Sequence, residues 1–164
     1  MNIILNSQQI EQRINRIAYQ IYEDNFEEKE IIIAGIARSG FLLAQRVKAA
    51  FEKICSIKTQ LIELHIDKNN QAQQDVQLPL PAAELKDNVI ILIDDVLNSG
   101  KTLIYALRPF LKADVRKLRT VLLVDRDHKR YPVFADYVGI TLSTTLREHV
   151  SVDLTEGNES VTLS

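Results

Sequence analysis

Apolar residues cluster along the chain in two spacings. Ile31 to Gly35 (IIIAG) and Val89 to Ile93 (VIILI) run without polar alternation, and Leu118 to Val124 (LRTVLLV) is nearly as apolar. Such runs suit strands buried on both faces of a parallel sheet. Between them the spacing is helical. Over residues 7–24, Ile10, Ile14, Ile17, Ala18 and Ile21 share one face, with Ser7 as the expected N-cap. FLLAQRVKAAF and LIYALRPFL predict two more helices. Residues 57–66 (IKTQLIELHI) and 149–154 (HVSVDL) alternate as further strands. Strands alternating with helices predict an α/β fold: an open, mostly parallel sheet flanked by helices. Asp67 to Gln77 is polar and lacks any apolar period, so a mobile loop is expected there. Pro79 and Pro81 keep the chain extended before Glu84. One domain over residues 1–154 is expected, with a polar tail, residues 155–164, that frays.

Composition narrows this picture without redirecting it. The 164 residues are 46% hydrophobic and carry a net charge of −2, an ordinary balance for a soluble protein. That charge gives no global electrostatic reason to bind nucleic acid. Cys55 is the single cysteine, which excludes an internal disulfide and a cysteine metal cluster. No run approaches the ~18 apolar residues of a membrane span, and no signal peptide is visible. A cytoplasmic location is expected. Arg13 and Arg16 beside the apolar face of the first helix read as solvated surface charge.

The chemistry gathers in VIILIDDVLNSGKT, residues 89–102. Ligands of open parallel sheets sit beyond the carboxyl ends of the strands, so Asp94 and Asp95 are expected at the mouth of a site. Gly100 lets backbone approach an anion, and the following helix start directs N–H groups and a positive dipole end at it. Ser99 and Thr102 add hydroxyls and Lys101 a charge, which together make a cradle for one phosphate. Two carboxylates beside a phosphate suit a sugar diol or a divalent cation on the same ligand. A P-loop would need glycine where Asp95 stands, so this is not a Walker A loop. Gly35-Ile36-Ala37-Arg38-Ser39-Gly40 repeats the strand, loop and helix order, which fits either a second anion site or a tight connection with no ligand.

Residues 89–102 resemble the phosphoribosyl-pyrophosphate (PRPP) signature of type I phosphoribosyltransferases: four apolar residues, two acidic, a spacer, then [ST]-G-[KR]-T. The resemblance implies that Asp94 and Asp95 hold the ribose hydroxyls, directly or through Mg²⁺, and that Asn98, Ser99, Gly100, Lys101 and Thr102 hold the 5′-phosphate. It gives the pyrophosphate to Ala37, Arg38, Ser39 and Gly40, with Arg38 matching two phosphate oxygens. It makes the 67–77 loop a lid over a reactive sugar cation. It implies an oligomer, at least a dimer.

LVDRDHKRYPVFADYVG, residues 123–139, is similar to the matching segment of the bifunctional pyrimidine-operon attenuator/uracil phosphoribosyltransferases. That likeness extends from about Ile3 to Leu154. It implies uracil as the base, with Asp125, Tyr137 and Val138 around it. The 6-oxopurine enzymes carry an acid where Asn98 stands and a lysine where Asp125 stands, which disfavours a purine. His65-Ile66-Asp67-Lys68 replaces the Tyr-Arg-Asp-Asp element of the attenuator family, removing an arginine that could reach pyrophosphate. Arg13, Arg16, Lys129, Arg130 and Arg147 are the candidates for an RNA surface, and the overall charge argues against RNA binding. The competing expectation is a regulatory nucleotide-binding protein with weak turnover. No catalytic role is assigned to Cys55, His65, His128 or His149.

Overall fold

A computed structural model describes residues 1–67, 69 and 76–164. The loop expected over Asp67 to Gln77 therefore lies largely outside the described residues. Strand β1 (Asn2–Leu5) leads into helix α1 (Ser7–Asn25), then β2 (Glu30–Ile36), α2 (Ser39–Ile54) and β3 (Lys58–Leu64). The short α3 (Ala82–Leu85), β4 (Val89–Leu97), α4 (Lys101–Lys112) and β5 (Lys117–Asp125) follow. Strands β6 (Tyr137–Thr141), β7 (Val150–Asp153) and β8 (Ser160–Leu163) complete the order.

Five strands form one parallel sheet in the order β3-β2-β4-β5-β6. The alternation along β4 explains its unbroken apolar run. Val89, Ile91 and Ile93 pack with α1 and α2 on one face, while Ile90 and Leu92 pack with Leu85 of α3 and with Leu103, Ala106 and Phe110 of α4 on the other. The strand order reverses between β2 and β4. Loops leaving those two carboxyl ends diverge to opposite faces and leave a crevice between them.

Several local expectations shift. Asn6, not Ser7, caps α1: its side chain accepts from Gln9 N, and Gln9 Oε1 accepts from Asn6 N, both at 2.9 Å. The reciprocal pair needs a glutamine or glutamate three residues on, and Gln9 stands three after Asn6. Strand β4 does not end at Ile93. It runs through the two aspartates to Leu97, because Val96 and Leu97 pair with Val124 and Asp125 and Leu97 is buried.

The tail is the larger correction. Residues 160–163 are strand β8, antiparallel to both β1 and β7, with Val161 fully buried. The polar run from Thr155 hides that one core valine. Arg13 and Arg16 are not free surface charge either. Arg16 Nη2 donates to the carbonyls of Val138 and Gly139, both at 2.8 Å, and Arg13 Nη1 donates to Gly139 O at 3.2 Å. They tie α1 to β6, the edge strand.

Candidate active site

At the switch point a cavity of about 310 Å³ opens between two walls. One wall is Asp94 to Leu103, from the end of β4 into the first turn of α4; the other is His149 to Val152, the start of β7. Leu122 of β5 contributes from the sheet.

The first wall is built by short-range bonds. Asp94 is buried, so it belongs to the wall and not to the mouth. Asp94 Oδ1 accepts from Asp95 N at 2.9 Å, and Asp95 Oδ1 accepts from Val96 N at 2.8 Å. Each carboxylate is thus oriented by the next amide. Gly100 is the N-cap of α4 with φ +86°, a left-handed conformation that glycine adopts without steric cost. Ser99 Oγ accepts from Lys101 N at 3.2 Å. Ser99 O accepts from Arg130 N and Tyr131 N at 2.8 and 3.1 Å, so the β5–β6 connection clasps the cradle from behind. Ser99, Gly100, Lys101 and Thr102 all line the cavity. They combine N–H groups at a helix start with two hydroxyls and one ammonium, which is what an anion requires.

The loop Ala37 to Gly40, which follows β2, does not line the cavity but packs against its wall at Asp94. Its Ala37–Arg38 peptide is cis, Arg38 is the N-cap of α2, and its side chain is exposed. Ala37 N donates to Leu64 O at 2.8 Å, which anchors the loop to the end of β3. A Cβ on Gly40 would lie 2.9 Å from Asp94 Cα, Asp94 Oδ1 and Ile93 O. The two loops expected from sequence are therefore in direct contact at Asp94.

None of the three residues expected around a base lines the cavity. Asp125 ends β5 on the carboxyl side of the sheet, where its Oδ1 accepts from Asp127 N at 2.8 Å. Tyr137 and Val138 do not join the cavity. Tyr137 begins β6 and pairs with Val121, midway along β5 and level with Ile93, but its side chain is engaged by α1 and does not line the cavity. Its hydroxyl donates to Asp24 Oδ2 at 2.6 Å, and Arg119 Nε donates to the same oxygen at 2.9 Å. Burial, then the Asp24 hydrogen bond, push the Tyr137 hydroxyl well above its ordinary range. The carbonyl of Val138 accepts from Arg16.

His149, Val150, Ser151 and Val152 take that place in the wall. Their alternation marks a strand in the sequence, but nothing local shows which site it faces. The wall depends on the tail: His149 N donates to Ser164 O at 2.7 Å, and Ser164 N donates back at 3.0 Å.

Fold and site define an open α/β protein with a cavity at its topological switch point, where a helix-start cradle suited to an anion stands beside two carboxylates. The family model described as the phosphoribosyl transferase domain matches residues 1–156. The bifunctional protein PyrR of Fusobacterium nucleatum is 31% identical over 172 residues, covering 99% of this chain and 97% of that protein. That of Corynebacterium glutamicum is 35% identical over 176 residues, covering 98% and 91%. The crystal structure of the hypoxanthine phosphoribosyltransferase of Trypanosoma cruzi superposes with a TM-score of 0.81, covering 99% of this chain and 95% of that one. At 16% identity that likeness concerns the fold. The chain belongs to the phosphoribosyltransferase family and is an enzyme of that class. Among the described residues no helix is long and apolar enough to cross a membrane.

Proposed function

We propose that the protein transfers the phosphoribosyl group of PRPP to uracil, giving UMP and pyrophosphate with Mg²⁺. One observation supports this reading: the Ser99–Thr102 cradle and the Asp94–Asp95 pair line one cavity at the switch point, and Gly40 of the Ala37–Gly40 loop packs against Asp94. The cradle takes the 5′-phosphate, and the carboxylates take the ribose hydroxyls. Arg38 and the amides of its loop take the pyrophosphate. A nitrogen of uracil bonds to the anomeric carbon as the carbon–oxygen bond to pyrophosphate breaks. Pyrophosphate leaves with the electron pair, and the N–H proton passes to solvent.

The residues fit magnesium. Among the described residues no cluster of three or more His, Cys, Asp or Glu side chains could hold a metal. Mg²⁺ commonly binds through one or two carboxylates together with substrate phosphates and water, so Asp94 and Asp95 suffice. When bound it offsets charge on the leaving pyrophosphate. The chain's own contribution is orientation and electrostatics, which require no side-chain nucleophile.

Uracil is supported by Asn98, which cannot act as a base, and by Asp125, which is an acceptor. The base lies between Asn98 and the His149–Val152 wall. Turnover without regulation is one reading; the relatives' name, bifunctional, and the altered 65–68 segment favour a second, in which nucleotide binding serves control. RNA binding is opposed by the engagement of Arg13 and Arg16 with β6. The enzyme acts in the cytoplasm as an oligomer.

The test is PRPP-dependent product formation with Mg²⁺ and, separately, uracil, hypoxanthine, guanine and xanthine. UMP is expected, reduced by about 100-fold or more in Asp95→Asn. Faster turnover of hypoxanthine or guanine than of uracil overturns the base assignment. No product from any base, with UMP still bound, favours the regulatory reading.

A further inference from the structure

Arg126 stands one residue beyond β5 and joins stretches of chain that otherwise meet only across the cavity. Its Nη1 donates to Asn98 Oδ1 at 2.8 Å. Its Nε donates to Thr144 Oγ1 at 3.2 Å, and its Nη2 to Thr145 O and Glu148 O at 3.3 and 2.6 Å. His128 Nε2 contacts Thr144 O beside it. The turn from 145 to 148 is closed by Thr145 N donating to Glu148 Oε2 at 2.6 Å. That backbone bond is the main reason the Glu148 carboxyl falls below its ordinary value.

The chemistry of this junction orients Asn98. A guanidinium only donates, so Asn98 must offer its carbonyl oxygen to Arg126. The amide N–H₂ then points away from Arg126, and the assignment of O and N is settled by the partner and not by shape. Asn98 lines the cavity immediately before the phosphate cradle. Glu148, held by the same guanidinium, immediately precedes His149, where the opposite wall begins. One side chain thus bridges the first wall and the turn that leads into the second, and fixes which way the Asn98 amide faces.

We propose that Arg126 is a positioning residue that presents the Asn98 N–H donors to the base, so that the site selects a base edge bearing an acceptor. The carbonyl oxygens of uracil meet that demand; a ring N–H at the same place does not. This deepens, and rests on, the reading of the cavity as a PRPP and uracil site.

Asn98→Asp separates this role from a structural one. The variant keeps its shape and an acceptor for Arg126 but removes the donors. The KM for uracil is expected to rise about three- to tenfold, the loss of one neutral hydrogen bond. The KM for PRPP stays within about twofold, because the Ser99–Thr102 cradle is unchanged and the Arg126 guanidinium pairs with the added carboxylate, and the melting temperature does not fall. Arg126→Gln raises the KM for uracil in the same direction, and Arg126→Lys does not rescue it, because an ammonium lacks the fork. With Asn98→Ala as the second single variant, the double variant Asn98→Ala, Arg126→Gln has a KM for uracil no higher than that of Arg126→Gln, since the Asn98 donors are useful only while Arg126 orients them.

Two results overturn the proposal alone: an active wild type whose KM for uracil is unmoved by Asn98→Asp, or losses in the double variant that multiply. A wild type with neither turnover nor UMP binding overturns the reading of the site, and the proposal with it.

Discussion

Replacing Gly40 by alanine inserts one methyl group between the two loops of the site. The new carbon would sit 2.9 Å from Asp94 Cα, Asp94 Oδ1 and Ile93 O, whereas ordinary contact begins near 3.4 Å. Two of those three atoms are backbone of β4, which is paired on both sides and cannot move away. The start of α2 must therefore retreat by about 0.5 Å, the gap between those two distances. Overpacking of this kind costs about 1–3 kcal/mol. At about 2–4 °C per kcal/mol for a chain of this size, a cost of about 2 kcal/mol lowers the melting temperature by roughly 4–8 °C. The catalytic effect is larger in proportion, because the displaced loop carries Arg38. A misplacement of 1 Å can cost about 100-fold, so about tenfold in kcat is expected for half that. Thermal melting and steady-state turnover with PRPP and uracil, on the same preparations, check both. A Gly40→Ala protein that melts and turns over like the wild type would refute the contact between the loops, and with it the shared site.

Other outcomes follow from residues away from the cavity. Tyr137→Phe removes a hydrogen bond to a carboxylate and is expected to cost about 1.5–3 kcal/mol of stability. Its KM for uracil stays at the wild-type value; an unchanged melting temperature with a raised KM would return Tyr137 to the base. Burial pushes the Asp24 carboxyl up from 3.8, but the Tyr137 and Arg119 hydrogen bonds and the charges of Lys117 and Arg119 outweigh it, and the net shift is downward. A carboxyl lowered in the folded state contributes stability above its unfolded value, and that contribution is lost as pH falls through the folded value. The wild type should therefore lose stability more steeply than Asp24→Asn below about pH 4, the unfolded carboxyl range. Parallel acid denaturation curves for the two proteins would contradict this.

The legible part of the chain was its central sheet. Apolar runs such as Val89 to Ile93 have one physical solution, burial on both faces, and the glycine-bounded loops after them fall at the switch point by topology. The capping residue of α1 was misread because serine is a good cap anywhere, whereas the deciding partner, Gln9, lies three residues away. Tyr137 is expected at the base but does not line the cavity. A tyrosine beside a valine and a glycine reads the same whichever way its side chain turns. Only its hydroxyl bond to Asp24, 113 residues away in sequence, shows that α1 engages it. Strand β8 escaped because one buried valine among polar residues carries no periodic signal. The role of Arg126 needed coordinates, since its partners lie 18 to 28 residues away in sequence and on both sides of it.

The small antiparallel sheet has a consequence for the order of assembly. Asn2 pairs with Leu163, and Ser164 holds His149. The cradle needs only β4, α4 and the connection that clasps them. The opposing wall waits for the longest loop closure in the fold, the kind of contact that forms late because its entropy must be met first. On a ribosome the nascent chain can build the Ser99–Thr102 cradle early, while the His149–Val152 wall is fixed only once β8 has emerged and paired with β7. Half-made copies would thus carry one wall of the cavity without the other.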